Sequence, residues 1–258
     1  MNKKIWGAFA GICALLMFTL GVVPVLAQQT AVKEKAPMYS YVANWAIPRA
    51  QWAELEKSNG ATDSMMQKAL AGGTIVAYGN DENLIHGGDG STHDNWWSAM
   101  SIAGLINVLD QLRGPSNNAV LSSATKHWDN IYVSRYYNWH PGAIKNGYTS
   151  GSVYKLKAGA PDDAVETLSK NLVAPLLEKM LSDGTISEYE IDTEAYHTDS
   201  PGTFIIVYIL QNAAGIDKVD AAIMDTLKAN PLSGPAFGSM VDSSAHRDFL
   251  DRTNATYK

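Results

Sequence analysis

The chain has 258 residues, 46% hydrophobic and 18% charged, with a formal net charge of -6. That acidic balance, with no clustered stripe of Lys and Arg, excludes a nucleic-acid binder, which needs basic side chains to replace phosphate counterions. The only cysteine is Cys13, so the rest of the chain cannot form internal disulfides, use a thiolate nucleophile or ligate a metal through sulfur.

At the N-terminus Lys3 and Lys4 precede an apolar run from Ile5 to Leu26, and Val25-Leu26-Ala27 matches the small-x-small rule for a cleavage site. Residues 1–27 therefore read as a signal peptide, and the expected location is secreted or periplasmic, with no membrane contact after cleavage. The run is also long enough to cross a bilayer, so a retained anchor is the rival reading. Losing Lys3 and Lys4 with the leader would take the charge from -6 to -8.

The remainder is written twice. "GTIVAYGNDENLIH" (Gly73 to His86) and "GTISEYEIDTEAYH" (Gly184 to His197) agree at six of fourteen positions, at a constant offset of 111. Upstream, Met65 to Ile75 lies over Leu176 to Ile186, and Tyr41 to Lys57 lies over Tyr154 to Lys170 with Pro48 over Pro161. Downstream, Ala103 to Leu112 lies over Ala214 to Ile223. A repeat of this reach predicts two structural copies, at residues 28–138 and 152–258, joined by a linker at 139–151.

Each copy reads as strand, helix, strand, strand, helix, strand. Tyr39 to Ala46 and Val153 to Ala158 alternate as half-buried strands do. Pro48 and Pro161 then open helices, where a missing N–H costs nothing. Gly72-Gly73 and Asp183-Gly184 end them. The repeated stretch follows as a second strand, and Asp81 and Asp192 are expected in the turn after it, where Asp bonds its own backbone. A third strand is plain in Thr203 to Gln211, whereas the matching region reads "STHDNWWSAMS", Ser91 to Ser101. Helices follow near Gly104 and Gly215, and fourth strands are expected at Asn130 to Tyr136 and Ser239 to Ser243. The βαββαβ order is the ferredoxin-like unit, so the fold class is α+β with two tandem ferredoxin-like units.

The "GTIVAYG" and "DGTISEYE" strands, each set after a helix, and the "HRDFLDR" tail (His246 to Arg252) resemble the dimeric α+β barrel superfamily. The resemblance implies two ferredoxin-like units pressing their open sheet faces together around a pocket. In this chain both units would be internal, as a pseudo-dimer. It also implies a choice among cofactor-independent oxygenases, haem-degrading or haem-peroxide enzymes, isomerases and stress-response binders, because a fold does not specify a reaction.

Candidate chemistry gathers in the first copy. All six tryptophans after the leader, Trp45, Trp52, Trp96, Trp97, Trp128 and Trp139, lie in or just after it. A third strand carrying His93, Asp94, Trp96 and Trp97 has given up the ordinary core pattern, as strands do at functional sites. Its alternative is plain packing, with Trp96 and Trp97 on opposite faces and His93 and Asp94 in a solvated loop. His86 and His197 close the repeated stretch and suit general-base or ligand chemistry, or a strand-end hydrogen bond. Tyr78 and Tyr189 recur mid-strand, pointing into a barrel or serving as ordinary aromatic strand residues.

The expected function is a secreted or periplasmic small-molecule-binding or stress-associated protein. Its candidate ligand-binding residues are His86, His93, Asp94, Trp96, Trp97, Tyr78, His197 and Tyr189. The expected partner is a small apolar or aromatic molecule, with no nucleic acid. The assembly is expected to be a monomer with an internal pseudo-dimer, or a homo-oligomer. The alternative is an enzyme of the barrel superfamily, either an oxygenase that needs no cofactor or a haem-dependent enzyme; no metal is expected.

Overall fold

The computed structural model describes residues 31–85, 88, 90–113, 120–198 and 200–258. The proposed leader, His86 and the 114–119 segment lie outside these. Strands run β1 (Met38–Ala46), β2 (Ala77–Asn83), β3 (His93–Ala99), β4 (Lys126–Trp139), β5 (Ala143–Lys155), β6 (Glu188–Glu194), β7 (Thr203–Leu210) and β8 (Arg247–Tyr257). Helices are α1 (Trp52–Ala71), α2 (Ile102–Leu112), α3 (Ala164–Leu168), α4 (Ala174–Ser182), α5 (Ala214–Ala229) and α6 (Ser233–Met240).

The eight strands close into one antiparallel barrel in the order β1-β3-β2-β8-β5-β7-β6-β4. Closure leaves no sheet edge with unpaired backbone groups. The first four strands are contiguous, the last four likewise, and two seams join the sets: β2 on β8 and β4 on β6. Each seam carries an irregularity, at Asn80/Asp81 and at Ser134/Tyr136, where one extra residue on β8 or β4 is accommodated. Bulges bend a strand and re-aim side chains. Both lie beside residues that carry acids into the barrel.

Helices cover the outside. In the first half Tyr41, Tyr78, Trp97 and Ala99 pack beneath Met66, Leu105 and Val108 of α1 and α2. In the second half Tyr136, Tyr189 and Ile191 pack beneath Leu177, Met180 and Leu181 of α4 and Val219 of α5. Ser101 caps α2, its side chain accepting from the Gly104 N–H. The expected continuous helix after Pro161 is instead α3, a π-turn over Ser169–Val173, and α4. Pro175 explains this break, because it cannot donate to the preceding turn and its ring crowds the carbonyl there.

Two expectations need correction. Residues 143–151 of the expected linker belong to β5, so the halves are joined by a tight turn after Trp139. Ser239 to Ser243 is not the last strand: Ser239 and Met240 end α6, and the strand is β8, which contains most of the "HRDFLDR" stretch.

Candidate functional site

Strand alternation sends every second side chain into the barrel. There it encloses a cavity of about 540 Å³ whose lining includes Asp81, Asp94, Trp96, Glu188, Glu190, Asp192, Asp251, Phe249, Ile205, Val207 and Ile209. Asn44, Asn83, Ser91, Trp128, Thr198 and Arg247 line it where β2 and β6 end, which sets the mouth at that end. With Asp129 and Asp248 also in its lining, Asp81, Asp94, Glu188, Glu190, Asp192 and Asp251 thus bring six carboxyl groups to one cavity.

They fall into two groups. Asp81 and Asp94 are register partners on β2 and β3. The Trp96 indole N–H donates to Asp81 Oδ2 at 2.9 Å, and the Thr149 hydroxyl donates to Asp81 Oδ1 at 3.1 Å. Burial pushes the Asp81 carboxyl up to about 6, against the lowering effect of these donors. Burial and then the charges of Asp81 and Asp251 push Asp94 well above the carboxylate range. Asp94 still touches the cavity and is only partly buried by its neighbours, so protein surrounds it without packing tightly on it.

On the opposite side, Ser40 donates to Glu190 Oε2 at 3.3 Å, and the Ser134 hydroxyl donates to Asp192. Burial raises Glu190 to about 7; burial and the charge of Glu190 raise Asp192 well above its ordinary value. Two neighbouring carboxyls enclosed by protein oppose each other's ionisation, which raises the pKa of Asp94 and of Asp192 beyond what burial does.

Trp96 needs a gap to lie in. A Cβ at Gly79 would stand 2.6 Å from the Trp96 ring, so the glycine on β2 is what lets the indole lie flat across that strand. Gly151 does the same for Phe249, whose ring a Cβ would meet at 2.6 Å.

Of the eight residues singled out in sequence, Asp94 and Trp96 face the barrel cavity. Asp94 is therefore not in a solvated loop. His93 points outward and is buried, with Nδ1 at 3.0 Å from Thr92 Oγ1 and its ring edge-on to Trp52 at 4.9 Å. Trp97 also points outward, stacking on Tyr41 at 4.4 Å and donating to the Leu105 carbonyl at 3.2 Å. Tyr78 and Tyr189 sit under the helices: the Tyr78 hydroxyl donates to Asp63 at 2.5 Å, and the Tyr189 hydroxyl to Glu178 at 2.7 Å. Alternation explains all four, since residues at odd spacing from Asp94, Asp81 or Asp192 on the same strand must face the other way. His197 is exposed in the segment after β6, and His86 lies outside the described residues.

Tyr78 and Trp97 do line a second cavity, of about 460 Å³, between the first half's sheet and its helices, with Tyr41, Met65, Met66 and Leu109. Residue type alone misses the inward acids. Asp81 and Asp192 are expected in a turn, yet both are strand residues with 2% and 4% exposure. A signal is present: Glu188, Glu190 and Asp192 fall at every second position, which places three acids on one face of a strand.

Among the described residues no group of three acidic, His or Cys side chains is arranged to hold a metal ion. Among them no histidine lines the barrel cavity. The carboxyls there suit protons, hydrogen-bond donors and cations, and among the described residues none supplies the axial histidine a haem iron takes.

The sequence matches no known protein-family profile and no curated protein. Solved structures do match. A candidate monooxygenase from Lactobacillus acidophilus NCFM is 11% identical, covering 87% of this chain and 97% of its own, with a TM-score of 0.59. A candidate monooxygenase from Fusobacterium nucleatum is 8% identical, covering 87% and 95%, with a TM-score of 0.57. An anthrone oxidase-like protein is 10% identical, covering 86% and 93%, with a TM-score of 0.53. Identities this low speak for architecture alone, and the chain shares with these proteins the dimeric α+β barrel fold.

Proposed function

We propose that the barrel cavity is the active site of an enzyme that removes a proton from a small, mainly apolar molecule, with the Asp81–Asp94 pair as proton acceptor. One observation carries this reading: two carboxyls paired across neighbouring strands, Asp81 and Asp94, both with pKa values raised by burial, stand across the cavity from an apolar wall of Ile205, Val207 and Ile209. A base is most effective when its pKa lies near the working pH. The Trp96 N–H and the Thr149 hydroxyl hold Asp81 in one orientation, and the β7 wall gives a planar apolar body a face to lie against.

The fold relatives described as candidate monooxygenases and as anthrone oxidase-like support an oxygenase form of this chemistry that needs no cofactor. An activated methylene carbon, bearing two hydrogens, gives one of them as a proton to the carboxylate, and the carbanion reacts with dioxygen. One oxygen atom stays on that carbon as a ketone, and the other leaves as water with both hydrogens. The methylene is oxidised and dioxygen is reduced, so no further electron donor is needed. Oxygen uptake by the purified protein with an aromatic compound bearing such a methylene tests this. Uptake lost in Asp94→Asn is expected; uptake unchanged in both Asp81→Asn and Asp94→Asn would sink it.

The binding-protein reading finds its support elsewhere, in the outer cavity lined by Tyr41, Tyr78 and Trp97. Quenching of Trp fluorescence by small aromatic molecules, lost in Trp97→Ala and kept in Asp94→Asn, would place binding there. The sheet orders of the two halves, β4-β1-β3-β2 and β8-β5-β7-β6, support duplication of a ferredoxin-like unit into a pseudo-dimer within one chain. The N-terminal pattern of Lys3, Lys4 and the Ala27 junction supports work outside the cytoplasm.

A further inference from the structure

We propose that the ammonium group of Lys258 is the resident cation of a cage at the end of the barrel away from the mouth, built from Glu188, Glu190, Trp96 and Trp139, and that a small primary alkylammonium ion takes its place when the side chain is removed. Lys258 follows β8, and its backbone pairs with Gly142 through N–H to O bonds of 3.0 and 3.3 Å. The side chain then turns into the barrel and is 3% exposed. Its Nζ is ion-paired to Glu188 and lies 3.7 Å from Glu190 Oε1. It stands 5.1 Å from the centre of the Trp96 ring and 5.2 Å from that of Trp139.

A cation stripped of water needs both counter-anions and polarisable faces, and this arrangement supplies two of each. The Oε2 atom of Glu188 is buried with no hydrogen-bond partner among the described residues, so the cage holds a spare acceptor. The acidic wall is particular to the second half: at the offset of 111 the first half has Ala77 and Gly79 where the second has Glu188 and Glu190. Trp96 comes from the first half and lies in the gap that Gly79 leaves. The cage is thus built from what each half does not share with the other.

The charged groups facing Lys258 are Glu188 and Glu190 on β6, with Asp81 on β2 acting at longer range. Burial pushes its ammonium well below the usual lysine range, and the charge of Asp81 opposes that. The cation pairs with Glu188 and Glu190, whereas Asp81, Asp94 and Asp192 have no ion pair among the described residues. In the active-site reading, on which this consequence alone rests, the lysine neutralises the far end and leaves the Asp81–Asp94 pair to the substrate.

Lys258→Ala removes the three methylenes beyond Cβ and the amine, which propylammonium restores. Titrating propylammonium chloride into this variant is expected to give a saturable change in Trp fluorescence, absent in the wild type and absent with 1-propanol. A folded Lys258→Ala protein that gives no saturable response, or a wild type that responds equally, overturns the proposal. Should the variant not fold, amine acetylation of the wild type decides. Lys258 is expected to react about tenfold or more slowly than the exposed Lys57, and faster in Glu188→Gln, since burial holds the amine from reagent. Equal rates for Lys258 and Lys57 overturn it as well. Neither readout involves turnover, so a confirmed cage without any oxygen uptake would count against the active site and not the cage.

Discussion

Strands β3 and β7 are the same element of the two halves, and the barrel sets them on opposite walls. At the offset of 111, Asp94, Trp96 and Ser98 on β3 stand where Ile205, Val207 and Ile209 stand on β7. Their outward neighbours, Trp97 and Tyr208, keep the aromatic character that packs under helices. The two halves share the outer face, which holds the fold, and differ on the inner face, which has one polar wall and one apolar wall. In the proposed active site such a difference would orient the substrate, because two identical walls would bind a molecule equally in either sense.

The largest effect should come from Gly79, which admits Trp96. Gly79→Val places atoms where the indole lies, and overpacking of this kind costs about 1–3 kcal/mol or more. A lowered urea midpoint together with loss of ligand binding is expected, and an unchanged midpoint would mean Trp96 has room elsewhere. Gly184, whose positive φ of 75° serves only a helix end, gives a useful contrast, since Gly184→Ala should cost stability without touching the cavity.

Next is the pH dependence of stability. A carboxyl whose folded pKa lies above its unfolded value favours folding while it is protonated, and that contribution is lost as pH rises through the folded value. With Asp81 at about 6 and Glu190 at about 7, the melting temperature should decline from about pH 4, where unfolded carboxyls ionise, to just above pH 7 on account of the barrel interior. Asp81→Asn should flatten that decline and raise stability at pH 8 by about 1–3 kcal/mol while abolishing proton transfer. Asp94→Ile makes the two walls alike and should also raise the melting temperature, with substrate turnover lost. A melting temperature that rises from pH 5 to 8 in the wild type would contradict the placement of these acids.

Much of the architecture was readable because the two halves repeat the same strand and helix periodicity. Gly73 and Gly184, and Tyr78 and Tyr189, each mark the same place in two copies, and the structure puts them in matching places. Tyr41, in contrast, pairs with Trp97 and Tyr154 with Phe204, so the two β1 and β5 tyrosines stand at different points of their strands. The inward face was harder to read. Acids on a strand look like a solvent-facing edge unless the strand closes into a barrel, and only pairing β2 with β8 and β4 with β6 encloses Asp81 and Asp192. His93 and Trp97 drew attention by residue type, yet alternation places them on the helix side once Asp94 faces in. Lys258 was invisible for a different reason: its partners Glu188, Glu190, Trp96 and Trp139 are brought to it only by barrel closure.

Smaller effects should separate inner from outer faces. Tyr189→Phe and Tyr78→Phe each remove one hydroxyl bonded to a helix carboxylate, at Glu178 and at Asp63, and should cost about 1 kcal/mol each without changing cavity chemistry. His197→Ala, at an exposed position, should change neither stability nor turnover by a measurable amount. A loss of activity in His197→Ala would move the site towards the mouth.

The most direct measurement is a carboxyl carbon NMR titration of the protein labelled at Asp and Glu side chains. The account predicts at least two carboxyls titrating between about pH 6 and 7, with Asp81 among them as identified by Asp81→Asn. Titration of every side-chain carboxyl below about pH 5, the range of ordinary exposed acids, would contradict it.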